Sequence, residues 1–186
     1  MCDENAIGGC EAAPAPLPCE AGEENGLYHA SVSVYAPGVV LGERVRTAGD
    51  AVAWIDEEFE RLRAGRSVSR LVAWFAGANG ADCVRFLRAQ RRYDTQAAHL
   101  YRVEMTVLGR HPMALVDAVR RNEGRPGALA EIVEEYWQPT RAWQFWEYLG
   151  PTMTVVAELD LPNTIMLAGA AYRYNVDREL TARLWP

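Results

Sequence analysis

Few side chains in this sequence are equipped for chemistry. Its three histidines are His29, His99 and His111, and one carboxylate, Glu147, sits in the most aromatic stretch, Trp143-Gln144-Phe145-Trp146-Glu147-Tyr148. An imidazole titrates near neutrality and can donate or accept a hydrogen bond. His29, between Tyr28 and Ala30, reads either as a satisfied core histidine or as a hydrogen-bond partner for a ligand. His99 opens a strand and reads either way, whereas His111, just before Pro112, reads as loop surface. A carboxylate buried among aromatics must be paired or protonated, because burying it alone costs several kcal/mol. Glu147 is therefore either a strand residue facing water or a group with a task. The chain lacks the Gly-x-Ser-x-Gly, His-Glu-x-x-His and Asp-x-Asp patterns of serine hydrolases, zincins and simple two-metal enzymes. Cys2, Cys10, Cys19 and Cys83 form no Cys-x-x-Cys or Cys/His set at zinc spacing, so no metal site is expected. Cys83 reads as a small core hydrophobe and the other three as free thiols.

Alternation and helical spacing define the elements that must position these groups. Leu27 to Tyr35 alternates as a strand with one buried face, broken by Pro37-Gly38. Asp50 is a plausible N-cap for a helix over Ala51 to Arg63, with Val52, Ile55, Phe59 and Leu62 on its apolar face. The run Leu71 to Phe75 predicts a buried strand within Ser67 to Ala76, and Gly80 to Arg92 a helix. Leu100 to Leu108 alternates again. Met113 to Arg121 and Ala128 to Trp137 predict two short helices separated by Gly124-Arg125-Pro126-Gly127. Two strands follow, Arg141 to Tyr148 and Met153 to Leu159, with a turn at Gly150-Pro151, and then a terminal strand and helical cap. No crossover carries a Gly-rich fingerprint, so a Rossmann or P-loop domain is disfavoured. The class is α+β with a mostly antiparallel sheet.

At 186 residues, 49% hydrophobic and 24% charged, the composition fits one globular domain, residues 27–186, behind a Gly/Ala/Pro/Glu-rich leader, residues 1–26, expected to be disordered. A net charge of −6 gives no support for nucleic acid or an anionic membrane as partner. No stretch is long and apolar enough to span a bilayer, and the start lacks the basic and apolar regions of a secretory signal, so synthesis in a cytosol is expected. All 19 basic side chains are arginine and lysine is absent. A GC-rich genome accounts for that, and so does avoidance of ubiquitination by a bacterial protein working inside a eukaryotic cell.

The segments Leu27-Tyr28-His29-Ala30-Ser31, Ser67-Val68-Ser69-Arg70-Leu71, Leu100-Tyr101-Arg102-Val103-Glu104 and Trp146-Glu147-Tyr148-Leu149-Gly150-Pro151, in this order, resemble an uncharacterised bacterial family related to ADP-ribosyltransferases. The resemblance covers residues 27 to about 160. It implies a split pair of small antiparallel sheets with short flanking helices, gripping NAD as substrate in the cleft between them. His29 would then hydrogen-bond the adenosine ribose, with Tyr28, Ala30 and Ser31 beside it. Glu147 would be catalytic, binding the 2′-hydroxyl of the nicotinamide ribose and stabilising the cationic charge that develops as nicotinamide leaves. Ser69 would contact ribose or nicotinamide, and Trp74 or Phe75 would stack on the ring, although a core strand explains Trp74 equally well. Arg44 and Arg46 would clamp the pyrophosphate, although exposed loop arginines are more often only solvated.

Protein-modifying members often carry Glu or Gln two positions before the catalytic glutamate, where this chain has Phe145, and this puts arginine as the modified side chain in doubt. The implied activity is mono-ADP-ribosyl transfer to a protein acceptor by an effector or toxin, made in the bacterial cytoplasm and secreted into a host cell. A component of the host ubiquitin system is one candidate acceptor. The alternatives are an NAD glycohydrolase and a catalytically inactive relative that binds proteins through the aromatic segment Tyr136 to Tyr148.

Overall fold

A computed structural model describes residues 26–45, 53–63, 68–89 and 97–161. The expected leader short of Gly26, the Asp50 cap, Arg46, the terminal strand and cap, and Cys2, Cys10 and Cys19 lie outside the described residues. The described residues form seven strands and four helices in the order β1 (Leu27–Ser31), β2 (Val40–Leu41), α1 (Ala53–Arg61), β3 (Trp74–Gly77), α2 (Gly80–Ala89), β4 (His99–Glu104), β5 (Gly109–Pro112), α3 (Ala114–Arg121), α4 (Pro126–Trp137), β6 (Trp146–Gly150) and β7 (Met153–Leu159). The fold is α+β, and its strands form one antiparallel sheet in the order β2-β7-β4-β1-β3-β6-β5.

That sheet is pinched in the middle. β1 is zipped to β4 over five residue pairs and β3 to β6 over four, but β1 meets β3 only at Tyr28 opposite Gly77. One residue further along, the His29 imidazole reaches the Phe75 carbonyl at 2.7 Å, so a side chain spans the gap where a ladder bond would otherwise lie. The two strands therefore fork at His29, with β2-β7-β4-β1 on one side and β3-β6-β5 on the other. Gly77 is required at the junction, since a Cβ there would stand 2.6 Å from the Cys83 Sγ.

Strand periodicity assigns the two faces. Tyr28, Ala30 and Val32 pack with Val84, Leu87 and Leu100 beneath α2, and Phe75 and Leu149 pack with the buried residues of α1, α3 and α4. Ile55 and Phe59 of α1, Leu115, Val116 and Val119 of α3, and Leu129, Ile132, Val133 and Tyr136 of α4 form that core, the faces read from helical spacing. The Trp137 Nε1–H donates to the Phe59 carbonyl at 2.8 Å and ties α4 to α1. On the opposite face Ala76, Tyr101, Val103, Met153 and Val155 pack against Tyr35, Leu41 and Trp74, so the chain after β1 covers that side.

Five expectations need correction. The strand expected over Ser67 to Ala76 begins at Trp74, because the Ser69 hydroxyl takes the Leu71 N–H and the Ser69 carbonyl the Ala73 N–H, folding that stretch into a turn. The strand expected over Arg141 to Tyr148 begins at Trp146. Before it, Glu135 accepts bonds from the Thr140 N–H and hydroxyl, the Arg141 N–H and guanidinium, and the Trp143 indole, drawing the segment back onto α4. Leu100 to Leu108 is β4 only as far as Glu104, and the chain then crosses the pinch to a further strand, β5. That strand buries His111, which was expected in a surface loop. Similarly, β6 and β7 do not form a hairpin: the two residues after Gly150 carry the chain from one half of the sheet to the other.

Candidate functional site

His29 lies at the fork in an aromatic corner. Its ring centroid is 5.8 Å from Trp74, edge-on, and 6.4 Å from Tyr35, and those two rings lie 6.3 Å apart and nearly perpendicular. The Trp74 indole donates to the Gly42 carbonyl, and the Tyr35 N–H donates to the Tyr101 hydroxyl at 3.0 Å, so residues on both sides of β2 hold the corner in place. Burial lowers the pKa of His29 to about 4, against the bond to the Phe75 carbonyl and with help from the Arg44 charge. The ring is therefore neutral near pH 7. A carbonyl can only accept, so Nδ1 carries the proton and Nε2 presents a lone pair. No described residue donates to Nε2. The corner thus offers one hydrogen-bond acceptor between two aromatic edges, which suits a hydroxyl-bearing, partly planar ligand.

A pH dependence follows. An unfolded histidine titrates near 6.5 and the folded one near 4, so between these values the unfolded chain holds the extra proton. This contribution to stability is intact above pH 6.5 and falls away as the pH drops toward 4. Urea unfolding midpoints are expected to decline from pH 7.5 to 4.5 in the wild type and less steeply in His29→Gln. An equal decline in both would show that His29 is not held neutral.

Glu147 is 2% exposed on the helical face, at the second position of β6. It stands opposite Gly77 on β3 and opposite His111 on β5. The Tyr136 hydroxyl donates to its Oε1 at 2.5 Å, and the Arg70 guanidinium donates through Nη1 to the same oxygen and also to the Tyr136 hydroxyl. No described residue donates to Oε2. Arg70 itself is 3% exposed, with its Nε bonded to the Asp56 Oδ1 at 2.9 Å. Its guanidinium carbon lies 4.8 Å from the Phe59 ring, 4.5 Å from Phe75 and 5.0 Å from Tyr136. Burial works against that charge, yet the facing Glu147 and Tyr136 raise the Arg70 pKa above its ordinary value, and burial pushes the Tyr136 hydroxyl well above its own. Both groups therefore act as donors at neutral pH. The second oxygen of Asp56 takes Arg44 at 3.1 Å, so the charges run Arg44, Asp56, Arg70, Glu147 from half-exposed to buried.

The anticipated residues divide between the two faces. His29 and Trp74 share one face, with Ser31 on its side of the β1 alternation and its hydroxyl accepting the Ser33 N–H at 3.0 Å. Tyr28 and Ala30 belong to the opposite face with the α2 cluster, and Phe75 has its ring between Arg44 at 4.7 Å and Arg70 at 4.5 Å. Ser69 sits in the turn before β3, where its hydroxyl accepts the Leu71 N–H at 3.2 Å and not a bond from His29 or Glu147. Glu147 shares the face of Phe75, so the side chains of His29 and Glu147 leave the sheet in opposite directions. Their strands lie two spacings apart, about 10 Å between backbones. The fork between β1 and β3 is the only break in the described sheet between them.

Sequence reasoning passes over Tyr35, Arg70, Asp56 and Tyr136. Arg70 carried a signal: a charged residue between Val68 and Leu71, inside an apolar run, needs a buried counter-charge. Cys83 is buried with its thiol bonded to the Tyr28 carbonyl, and burial pushes its pKa up to about 12, so it is inert at neutral pH. Among the described residues no group of three His, Cys, Asp or Glu side chains is placed to hold a metal ion, and no helix is long and apolar enough to cross a membrane. No protein-family model matches the chain, and no curated protein matches it significantly.

Proposed function

We propose that the protein is a mono-ADP-ribosyltransferase with a split-sheet ADP-ribosyltransferase fold, which takes NAD at the fork between β1 and β3 and transfers ADP-ribose to a protein acceptor. The observation that carries this reading is a neutral imidazole and a carboxylate anchored by one oxygen, set about two strand spacings apart on either side of the one break in the described sheet. A ribose hydroxyl donates to the His29 Nε2, and the Tyr35 and Trp74 edges flank the sugar and base. Glu147 accepts the 2′-hydroxyl of the nicotinamide ribose on its unbonded Oε2. The bond from C1′ to the nicotinamide nitrogen breaks with its electron pair leaving on nicotinamide, and the carboxylate stabilises the positive charge at C1′. The acceptor nucleophile then bonds to C1′ and its proton passes to solvent. Arg44, a partly exposed guanidinium over the Phe75 ring, would take the pyrophosphate.

Phe145 in place of an acceptor-orienting Glu or Gln leaves the acceptor's side chain open, and the absence of lysine supports action as a bacterial effector inside a host cell. A second reading, a catalytically inactive relative that binds NAD or a protein, is favoured by the near-complete burial of Glu147 and its position on the face away from His29.

Incubation with NAD labelled in its adenylate half, in buffer and in host-cell lysate, separates these readings. Transfer predicts nicotinamide release together with label on a lysate protein. Release without protein label indicates hydrolysis, with water as acceptor. NAD-dependent quenching of tryptophan fluorescence with no release in either medium would establish the inactive relative and overturn the transferase.

A further inference from the structure

We propose that Arg70 is the positioning residue for Glu147, fixing the carboxylate by one oxygen so that the other faces the substrate. The proposal rests on the reading of Glu147 as the catalytic carboxylate, and what it adds is the device that aims it. Both donors to Glu147, the Arg70 guanidinium and the Tyr136 hydroxyl, converge on Oε1. A buried carboxylate that only needed neutralising would be served better by a two-point guanidinium fork, the geometry that arginine favours. Here the fork is split instead: Nη1 goes to Glu147 and Tyr136, while Nε goes to Asp56 on α1. The split is imposed by packing. The guanidinium is enclosed by the Phe59, Phe75 and Tyr136 rings, and the Arg70 backbone N–H is held by the Glu60 carboxylate at 2.7 Å, so the side chain cannot swing to cover Oε2.

The charged and titratable groups around Glu147 come from every packed element: Asp56 from α1, Arg70 from the turn before β3, Cys83 from α2, His111 from β5 and Tyr136 from α4. Asp56 balances the charge of Arg70 and keeps its Nε occupied. The His111 Nδ1 bonds the Tyr136 carbonyl at 3.0 Å and its ring stacks on Tyr136 at 4.6 Å, which sets where the phenol hydroxyl points. Of these groups Arg70 is the permanent cation bonded to the Glu147 carboxylate.

The test compares wild type, Arg70→Lys and Tyr136→Phe in nicotinamide release. A lysine keeps the charge but loses the split fork. For Arg70→Lys the expected result is kcat lower by at least tenfold with the NAD KM within about twofold, because the His29 corner is untouched. Tyr136→Phe, which removes the second donor to Oε1, is expected to lower kcat in the same way by a smaller factor. A folded Arg70→Lys with unchanged kcat, or one whose only change is a higher KM, would overturn the positioning role. If the wild type releases no nicotinamide, the enzymatic reading fails, and the positioning is read instead from the orientation of the Glu147 carboxylate in crystal structures of wild type and Arg70→Lys. A carboxylate rotated from its wild-type orientation in Arg70→Lys supports it, and coincident orientations overturn it.

Discussion

Glu147→Gln is expected to lower kcat for nicotinamide release by about a thousandfold, the order of loss seen when one electrostatic contact to a developing charge is removed. Glutamine keeps the size of the side chain and can still accept at one oxygen, so what is lost is the negative charge beside C1′. The NAD KM should change little, because ground-state contacts at His29, Tyr35 and Trp74 lie on the other side of the fork. The variant should also fold. The Tyr136 hydroxyl can donate to the amide oxygen, and Asp56 still balances Arg70. Steady-state rates at saturating NAD check this, and a kcat within tenfold of wild type would show that Glu147 is a structural counter-ion and not the catalytic group.

Arg70→Ala is expected to destabilise the fold by about 3–5 kcal/mol, the cost of leaving a buried ion pair half empty. In this case two carboxylates, Asp56 and Glu147, lose their common partner inside an aromatic cage. The double variant Arg70→Ala with Glu147→Gln should recover part of that loss, with a coupling of about 0.5–3 kcal/mol. Equilibrium urea unfolding of the four species gives the cycle, and additive losses would mean that the two side chains do not interact in the folded protein. The same cost is the reason that Arg70→Lys, and not Arg70→Ala, serves for kinetics.

The local elements were legible because each is specified by its own residues. β7 runs from Met153 to Leu159 as its β-branched alternation requires, and α3 and α4 bury the apolar faces that helical spacing gives. What sequence could not supply is pairing between distant segments. Arg70 and Glu147 are 77 positions apart, and neither spacing nor composition links them. Elements also failed where side chains compete with the backbone: the Ser69 turn shortened β3, and the Glu135 cluster removed the first half of a strand expected before Glu147. His111 misled because Pro112 looks like a loop marker, yet it ends an edge strand, where a missing N–H is tolerated. For His29 the structure shows the structural contact, and the ligand contact belongs to the proposal. The imidazole closes the fork as a structural bond to Phe75 and keeps Nε2 available.

The chemistry divides similarly between what residue type predicts and what geometry adds. Glu147 was identifiable as a carboxylate that needs a partner, and the structure supplies two on one oxygen. The division of His29 and Glu147 between the two faces follows from strand parity, since Trp74 touches His29 while the adjacent Phe75 lies against Arg70. A substrate that meets both must therefore pass through the fork where β1 and β3 part.

The most direct test is a crystal structure of the protein with a non-cleavable NAD analogue. The account predicts density threaded through the fork, with a ribose hydroxyl within hydrogen-bond distance of the His29 Nε2 and the nicotinamide ribose 2′-hydroxyl on the Glu147 Oε2. An analogue bound on one face of the sheet, with Glu147 still buried and out of reach, would contradict it.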